Sequence, residues 1–347
     1  MPAWLAWVPG GFPAGFAGAV GTDAVFYASV VVAGDTQWMT ASRGTGGAVV
    51  DRPDPPFRIP IDAFAVDPAR YGPFLPEAHR EAVLGALRRG EAVLGERSAA
   101  LRRLGVGGSM TFGGVEVVIG AIAPDQVVGW SELLLSRRAG ATLGISTPRY
   151  LLVLDAGLTL PRFERRVRAY LPAGERLRVD PPGGTPYVRV ASGVNPPIVM
   201  KHAFGEFSAA PRGGDPAFFT IDPVWYDEHI LTRTVPILGR VTCNRAFFPA
   251  LQGALGEVVD RGLGDLINVY SGCFAARTIG RSSTAPPSNH AYGAAIDIDA
   301  PTNGYGDATP AMDPRVVEIF RRWGFVWGGG FVITDGMHFE YGAAPAA

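Results

Sequence analysis

Two stretches near the C-terminus decide the fold: SNHAYGAAIDID, residues 288–299, and DGMHFE, residues 335–340. In the first, Gly293 can bend the chain sharply after His290. The following Ala-Ile-Asp-Ile-Asp alternates, so a strand there puts Asp297 and Asp299 on one face and Ile296 and Ile298 toward a core. In the second, His338 and Glu340 share a strand face, with Asp335 on the turn before them. Two imidazoles, His290 and His338, and one carboxylate, Asp297, then form a three-ligand set for Zn2+. Such a set leaves a fourth position for water, as catalytic zinc sites do. The chain has no H-E-x-x-H, which excludes a thermolysin-like helix site. A calcium reading of DIDAPTNGYGD, residues 297–307, meets Pro301 where an EF-hand loop needs a ligand.

Ser288, His290, Gly293, Ala295 and Asp297 fill every fixed position of S-x-H-x-x-G-x-A-x-D, and Asp335-x-x-His338 follows in order. This pattern resembles the VanX/VanY-type D-alanyl-D-alanine carboxypeptidases and the L-alanyl-D-glutamate endopeptidases, which share a zinc fold with the hedgehog signalling domain. The resemblance covers roughly residues 225–341. It implies His290, Asp297 and His338 as zinc ligands and Asp335 as the general base. Arg277 falls where relatives carry an arginine that steadies the substrate carbonyl or carboxylate, with Arg281 close by. Ser288 matches a position beside the first ligand, where a hydroxyl meets a ligand or the substrate. The carboxypeptidases usually carry Glu where this chain has Asp335, and the endopeptidase branch more often has Asp.

The resemblance thus implies a zinc peptidase cutting peptidoglycan stem peptides, of the D-alanyl-D-alanine carboxypeptidase type. An L-alanyl-D-glutamate endopeptidase is one alternative, and a non-catalytic zinc-containing cell-wall or protein-binding module is another. Asp335 and Arg277 together speak for catalysis, since a retired enzyme has no need of them. The substrate peptide is expected in a cleft lined by Arg277, Ser288, Asp299 and the loop from Trp327 to Phe331. The same loop also reads as a packed core edge.

Around this motif lies a chain of 347 residues with 31 Lys+Arg against 32 Asp+Glu, a net charge of -1 and 47% hydrophobic content. That length suits two domains of ordinary size. The even charge argues against a nucleic-acid partner, which needs clustered cationic charge. No run reaches the roughly 20 apolar residues of a membrane span. There are 46 glycines and 30 prolines, well above ordinary usage, so loops should be plentiful. Cys243 and Cys273 are too few for a Cys-based zinc site and leave one bridge or two buried thiols open. The N-terminus is apolar but lacks basic residues, so it is not a convincing signal peptide. Export to the bacterial envelope is expected from the substrate alone.

The expected fold class is α+β throughout: a C-terminal small antiparallel sheet with flanking helices at 225–347, of the hedgehog/D,D-peptidase type, preceded by a separate N-terminal α+β module at 1–190. A Pro/Gly-rich linker or covering segment is expected at 191–224. In the first half VFYASVVVA (25–33) and VEVVIGAIA (115–123) read as strands, the second after a Gly113-Gly114 turn. A helical pattern runs from Glu77 to Leu104, interrupted near Gly90 and Gly95. A further strand is expected over Tyr150–Leu154 and a helix over Pro161–Tyr170. The stretch GERSAALRRLGVGGSMTFGGVEVVIGAI, 95–122, resembles the periplasmic core domain of MacB- and FtsX-type permeases. No catalytic cluster appears in this half, a module of unknown role; a rival reading makes the chain chiefly an interaction protein that docks to an envelope partner through it. In the second half, helices are expected over Phe248–Arg261, ended by Gly262, and from Pro314, capped by Asp313. Strands are expected at 266–270, 294–300 and 338–341.

Overall fold

The computed structural model describes residues 3–23, 26, 28–154, 157–182, 195–213 and 215–342. The chain divides into two compact units, Met1–Val188 with Thr284–Pro286 and Arg189–Ser283 with Pro287–Ala347. Both mix helices and strands, and the C-terminal unit carries the small antiparallel sheet expected of it. Among the described residues no helix is long and apolar enough to cross a membrane.

The first unit is built on one mixed sheet of β1 (Ala3–Trp7), β2 (Ser29–Arg43), β3 (Val49–Asp51), β4 (Ile59–Val66), β5 (Ala92–Gly95), β6 (Ser109–Phe112), β7 (Val115–Ala123), β8 (Leu133–Ser136), β9 (Pro148–Leu154) and β10 (Arg178–Asp180). The fifteen-residue β2 organises it. Its first residues pair with β9, its middle with β4, and Met39 to Arg43 pair with β6. That last pairing closes the order β2-β4-β8-β5-β7-β6 into a barrel-like ring. Within it β4–β8 and β5–β7 run parallel. Strands buried on both faces read as unbroken apolar runs, and β4, β5 and β8 are buried at every position. Val93 and Leu134 face one core, while their neighbours Leu94, Leu133 and Leu135 face another.

The helical pattern over 77–104 resolves into helix Glu77–Arg89, strand β5 and helix Glu96–Arg102. Gly90 ends the first helix at φ 80°. A four-residue apolar run buried on both sides is indistinguishable by periodicity from a buried helical segment, which is why β5 was invisible in the pattern. The strand expected over 25–33 starts at Ser29 and runs to Arg43, its first residues 25 and 27 lying outside the described residues. The helix expected over 161–170 spans Leu160–Arg168.

The second unit carries two hairpins, β11 (Ala209–Arg212) with β12 (Asp215–Ile221) and β13 (Ile230–Val235) with β14 (Gly239–Asn244). A four-stranded sheet follows, in the order β15 (Tyr270–Gly272), β16 (Ala295–Ile298), β18 (His338–Tyr341), β17 (Phe325–Trp327), antiparallel at every pairing. The described part of the 191–224 stretch is folded rather than extended: helix Pro197–Phe204 and the β11–β12 hairpin occupy it. Pro196 and Pro197 start that helix, as its N-cap and first residue, whereas Pro211 lies in β11. Residues 183–194 lie outside the described residues.

Helix Phe248–Asp260 buries Leu251, Ala254, Leu255 and Val258. Helix Pro314–Arg322, capped by the Asp313 side chain on the Arg315 amide, buries Val316, Ile319 and Phe320. Phe320 packs on Phe325 of β17 and Phe339 of β18, with ring centroids 5.1 and 4.5 Å apart. The strand expected at 266–270 is displaced to Tyr270–Gly272, after a short turn of 3-10 helix at Gly264–Leu266. Cys243 at the end of β14 and Cys273 just after β15 form a disulfide. Closing a loop of that size contributes about 3–4 kcal/mol by restricting the unfolded chain.

Candidate metal centre

The three predicted ligands meet on the four-stranded sheet. Asp297 of β16 stands directly opposite His338 of β18 in an antiparallel pair, which brings their side chains to the same face. His290 comes from a single 3-10 turn, Asn289–Tyr292, just before β16. Ser288 caps that turn, its hydroxyl oxygen accepting the His290 amide at 3.3 Å. Gly293 ends it at φ 64°, and a Cβ there would stand 2.5 Å from the Asn244 amide nitrogen. Only glycine combines that left-handed backbone with that close approach. Asn244, itself buried, ties the turn to its surroundings by donating from Nδ2 to the carbonyls of Tyr292 and Phe204, each at 3.1 Å.

Metal–ligand bonds of about 2.0–2.1 Å at the tetrahedral angle put neighbouring donor atoms about 3.3 Å apart. Here His290 Nε2 lies 3.2 Å from His338 Nδ1 and 3.3 Å from Asp297 Oδ1, and His338 Nδ1 lies 3.0 Å from Asp297 Oδ1. Those three atoms therefore have the spacing that one small cation requires, and the His2Asp donor set suits zinc.

The outer ring nitrogens are held as well. His290 Nδ1 is 2.7 Å from the Cys273 carbonyl, and His338 Nε2 is 3.0 Å from Glu340 Oε2. Each outer N–H donates to its oxygen, so each ring turns its other nitrogen inward. Both rings are nearly excluded from solvent, at 3% and 6% exposure. Burial pushes the Asp297 carboxyl up, but hydrogen bonds from His290 and His338 overcome this and hold it well below the usual carboxylate range. Burial pulls His338 down, yet Asp297 and Glu340 outweigh it and push its pKa up to about 10. Both shifts say the same thing: the space between these atoms favours positive charge.

Beside the cluster stands Asp335, on the turn before β18. Its amide donates to the Gly328 carbonyl at 2.9 Å, and its own carbonyl accepts the His338 amide at 3.1 Å. A Cβ on Gly328 would fall 2.5 Å from the Asp335 carbonyl oxygen and 3.1 Å from its Cβ, so only glycine lets the turn after β17 pass so near the site. Asp335 Oδ1 is buried without a hydrogen-bond partner. Burial raises the Asp335 pKa, opposed in part by the positive charge of His338, while Asp297 adds to the rise. Arg277 lies close enough for its charge to act on this carboxyl as well. It is half-buried, beside the bridge it forms with Phe218, and its guanidinium has no hydrogen bond or ion pair among the described residues. Arg281, the other arginine of that loop, is exposed and lies over the Phe218 ring at 6.0 Å.

The remaining expected site residues have structural partners. Asp299 is buried at φ 52°, and its Oδ1 accepts the amides of Asn268 and Val269 at 2.8 and 2.7 Å. It ends the β16 alternation instead of extending it. Trp327 donates from Nε1 to the Gly336 carbonyl at 2.8 Å and so braces the Asp335 turn. Phe331 of the same loop sits 6.0 Å, ring to ring, from His338. Of the other histidines, His229 stacks on Trp225 at 4.6 Å, a packing role. Glu340 is not among the residues expected in the site, although strand alternation places it on the His338 face. The Cys273 carbonyl carried no signal, because any residue can supply a backbone oxygen.

Residues 281–341 match a family model described as D-alanyl-D-alanine carboxypeptidase, which bears out the resemblance for this C-terminal part. Arg277 lies just outside the matched segment. No curated protein matches the chain. Among solved structures, the chain is similar to the periplasmic region of MacB from Actinobacillus actinomycetemcomitans, at 8% identity and a TM-score of 0.36 over 52% of this chain and 89% of that one. It is also similar to the extracellular domain of the noncanonic ABC-type transporter YknZ from Gram-positive bacteria, at 12% identity and a TM-score of 0.32 over 51% and 99%.

Proposed function

We propose that the C-terminal unit is a zinc-dependent peptidase that hydrolyses peptide bonds in bacterial peptidoglycan stem peptides, of the D-alanyl-D-alanine carboxypeptidase type and the hedgehog/D,D-peptidase fold. The observation that carries this reading is the spacing of His290, Asp297 and His338 at tetrahedral donor distances with a buried, partnerless carboxylate oxygen of Asp335 next to them. A zinc ion held by those three residues would supply Lewis acidity, lowering the pKa of a water toward neutrality and polarising a peptide carbonyl.

The chain's own residues do the rest. Asp335 Oδ1 accepts the proton of the attacking water and delivers it to the leaving amine, a role that its raised pKa suits. Arg277 turns an uncommitted guanidinium toward the oxygen that becomes negative, or toward a terminal carboxylate. Cys273 and Glu340 keep the two rings from turning. The disulfide fits an exported protein, since such bridges persist in oxidising compartments.

Asp335 itself favours the second reading, cleavage at L-alanyl-D-glutamate, because that branch more often carries Asp there. Stem peptides with free and amidated C-termini separate the two. Loss of cleavage on amidation assigns the carboxypeptidase; equal cleavage, with product masses at the internal bond, assigns the endopeptidase. Cleavage of neither by zinc-loaded protein contradicts the peptidase reading.

A further inference from the structure

One cavity of about 990 Å3 lies wholly within the first unit and has no part in the zinc chemistry. Its walls come from helix Phe16–Gly21, the start of β2, helix Pro68–Tyr71, the end of helix Glu77–Arg89 and helix Arg137–Thr142. Five arginines line it, Arg70, Arg88, Arg89, Arg137 and Arg138, against one acidic residue, Asp67. The whole chain carries a net charge of -1, so this excess is local. Asp67 is already engaged, its Oδ1 accepting the Ala69 amide at 2.9 Å. Arg89 is paired with Glu91 at 2.8 Å, and Arg137 donates to the Val31 carbonyl at 2.9 Å. Arg70, Arg88 and Arg138 have no hydrogen bond or ion pair among the described residues. Burial lowers the Arg137 pKa, with Asp67 opposing it, which marks a cation drawn partly out of water.

Unpaired like charges around one concavity repel each other and focus a positive field into it, and an anion relieves both effects. A guanidinium fork matches phosphate and carboxylate alike. Four guanidiniums not paired to a carboxylate exceed what one carboxylate neutralises, whereas a phosphate monoester carries about 1.5–2 negative charges. Ala17, Pro68 and Ala139, each partly exposed, give the cavity an apolar wall beside that rim, and its volume exceeds what inorganic phosphate fills. We propose that this cavity binds an organic phosphate, the phosphate held by Arg70, Arg88, Arg137 and Arg138 and its carbon body against the apolar wall.

Two sources share that chemistry, a soluble phosphate monoester and the monoester headgroup of phosphatidic acid. The test is calorimetry on the full chain with glycerol 3-phosphate, with glycerol as the uncharged control, alongside co-sedimentation with phosphatidylcholine vesicles that contain phosphatidic acid and with phosphatidylcholine vesicles alone. The expected result is saturable binding of glycerol 3-phosphate or of the phosphatidic acid vesicles, none to the controls, and at least about tenfold weaker binding in R88Q/R138Q. Both residues are exposed and otherwise uncommitted, so the double variant folds, and its zinc content and peptide cleavage stay unchanged. Soluble binding assigns the ester and vesicle-only binding the headgroup. The proposal is overturned if neither probe binds, or if binding is undiminished in R88Q/R138Q and also in R70Q. Because the readout is ligand binding, its failure leaves the peptidase reading untouched.

Discussion

His338 stands between two carboxylates, Asp297 at one ring nitrogen and Glu340 at the other. Its pKa of about 10 is above the ordinary 6.5, so at pH 7 the metal-free ring carries a proton that a cation at Nδ1 must displace. Zinc binding at pH 7 is therefore expected to release about one proton, with affinity rising as pH rises toward 10. Calorimetry in buffers of different ionisation enthalpy measures this, and binding without proton release contradicts the assignment. In the metal-free protein the sign of the linkage is that of a raised pKa: the stabilisation is complete below about pH 6.5 and is lost as pH rises through about 10. Glu340→Gln removes the charge that orients the ring, and zinc affinity against a competing chelator should fall by about 10- to 100-fold with the fold intact. Asp335→Asn should lower the rate of cleavage by about 10²- to 10⁴-fold while zinc stays bound.

The ligand turn and the strands around it depend on a few local devices. Gly293→Ala must place a Cβ 2.5 Å from a backbone nitrogen at φ 64°, so a loss of about 1–3 kcal/mol in urea unfolding is expected, and an unchanged midpoint would refute the close approach. Reducing the Cys243–Cys273 bridge, or replacing both cysteines by Ser, should cost about 3–4 kcal/mol. It should also weaken zinc binding, because the Cys273 carbonyl fixes the His290 ring. Much of this was legible in the sequence. His290, Gly293, Asp297, Asp335 and His338 stand at fixed intervals along one chain, and strand alternation alone puts Asp297 and Ile296 on opposite faces. Other elements were not legible, for physical reasons. β5 is four apolar residues buried on both faces, which carry no period; Pro196 and Pro197 read as part of a linker or covering segment but start a helix; and Asp299 leaves the strand because a left-handed backbone and two amides capture it.

On the scale of the whole molecule, two units with separate cores carry separate loads. The barrel-like closure of the first unit, β2 pairing with β9, β4 and β6 in succession, joins residues far apart in sequence, so no local pattern announced it. That unit also holds Arg102 and Glu132, both wholly buried, in an ion pair at 2.7 Å. Arg102→Met strands the Glu132 charge in the interior and should cost about 3–5 kcal/mol, read as a shift of the unfolding transition that chelation does not move. Chelating zinc should lower the other transition, in which ligation and folding are linked. For the second unit the deciding measurement is zinc content per chain, by elemental analysis on the same protein used to digest muropeptides. One zinc per chain is expected, lost in His290→Ala, with muropeptide cleavage in the wild type only. Protein that holds no zinc after exposure to it would contradict the metal centre, and zinc-loaded protein that leaves muropeptides intact would contradict the peptidase.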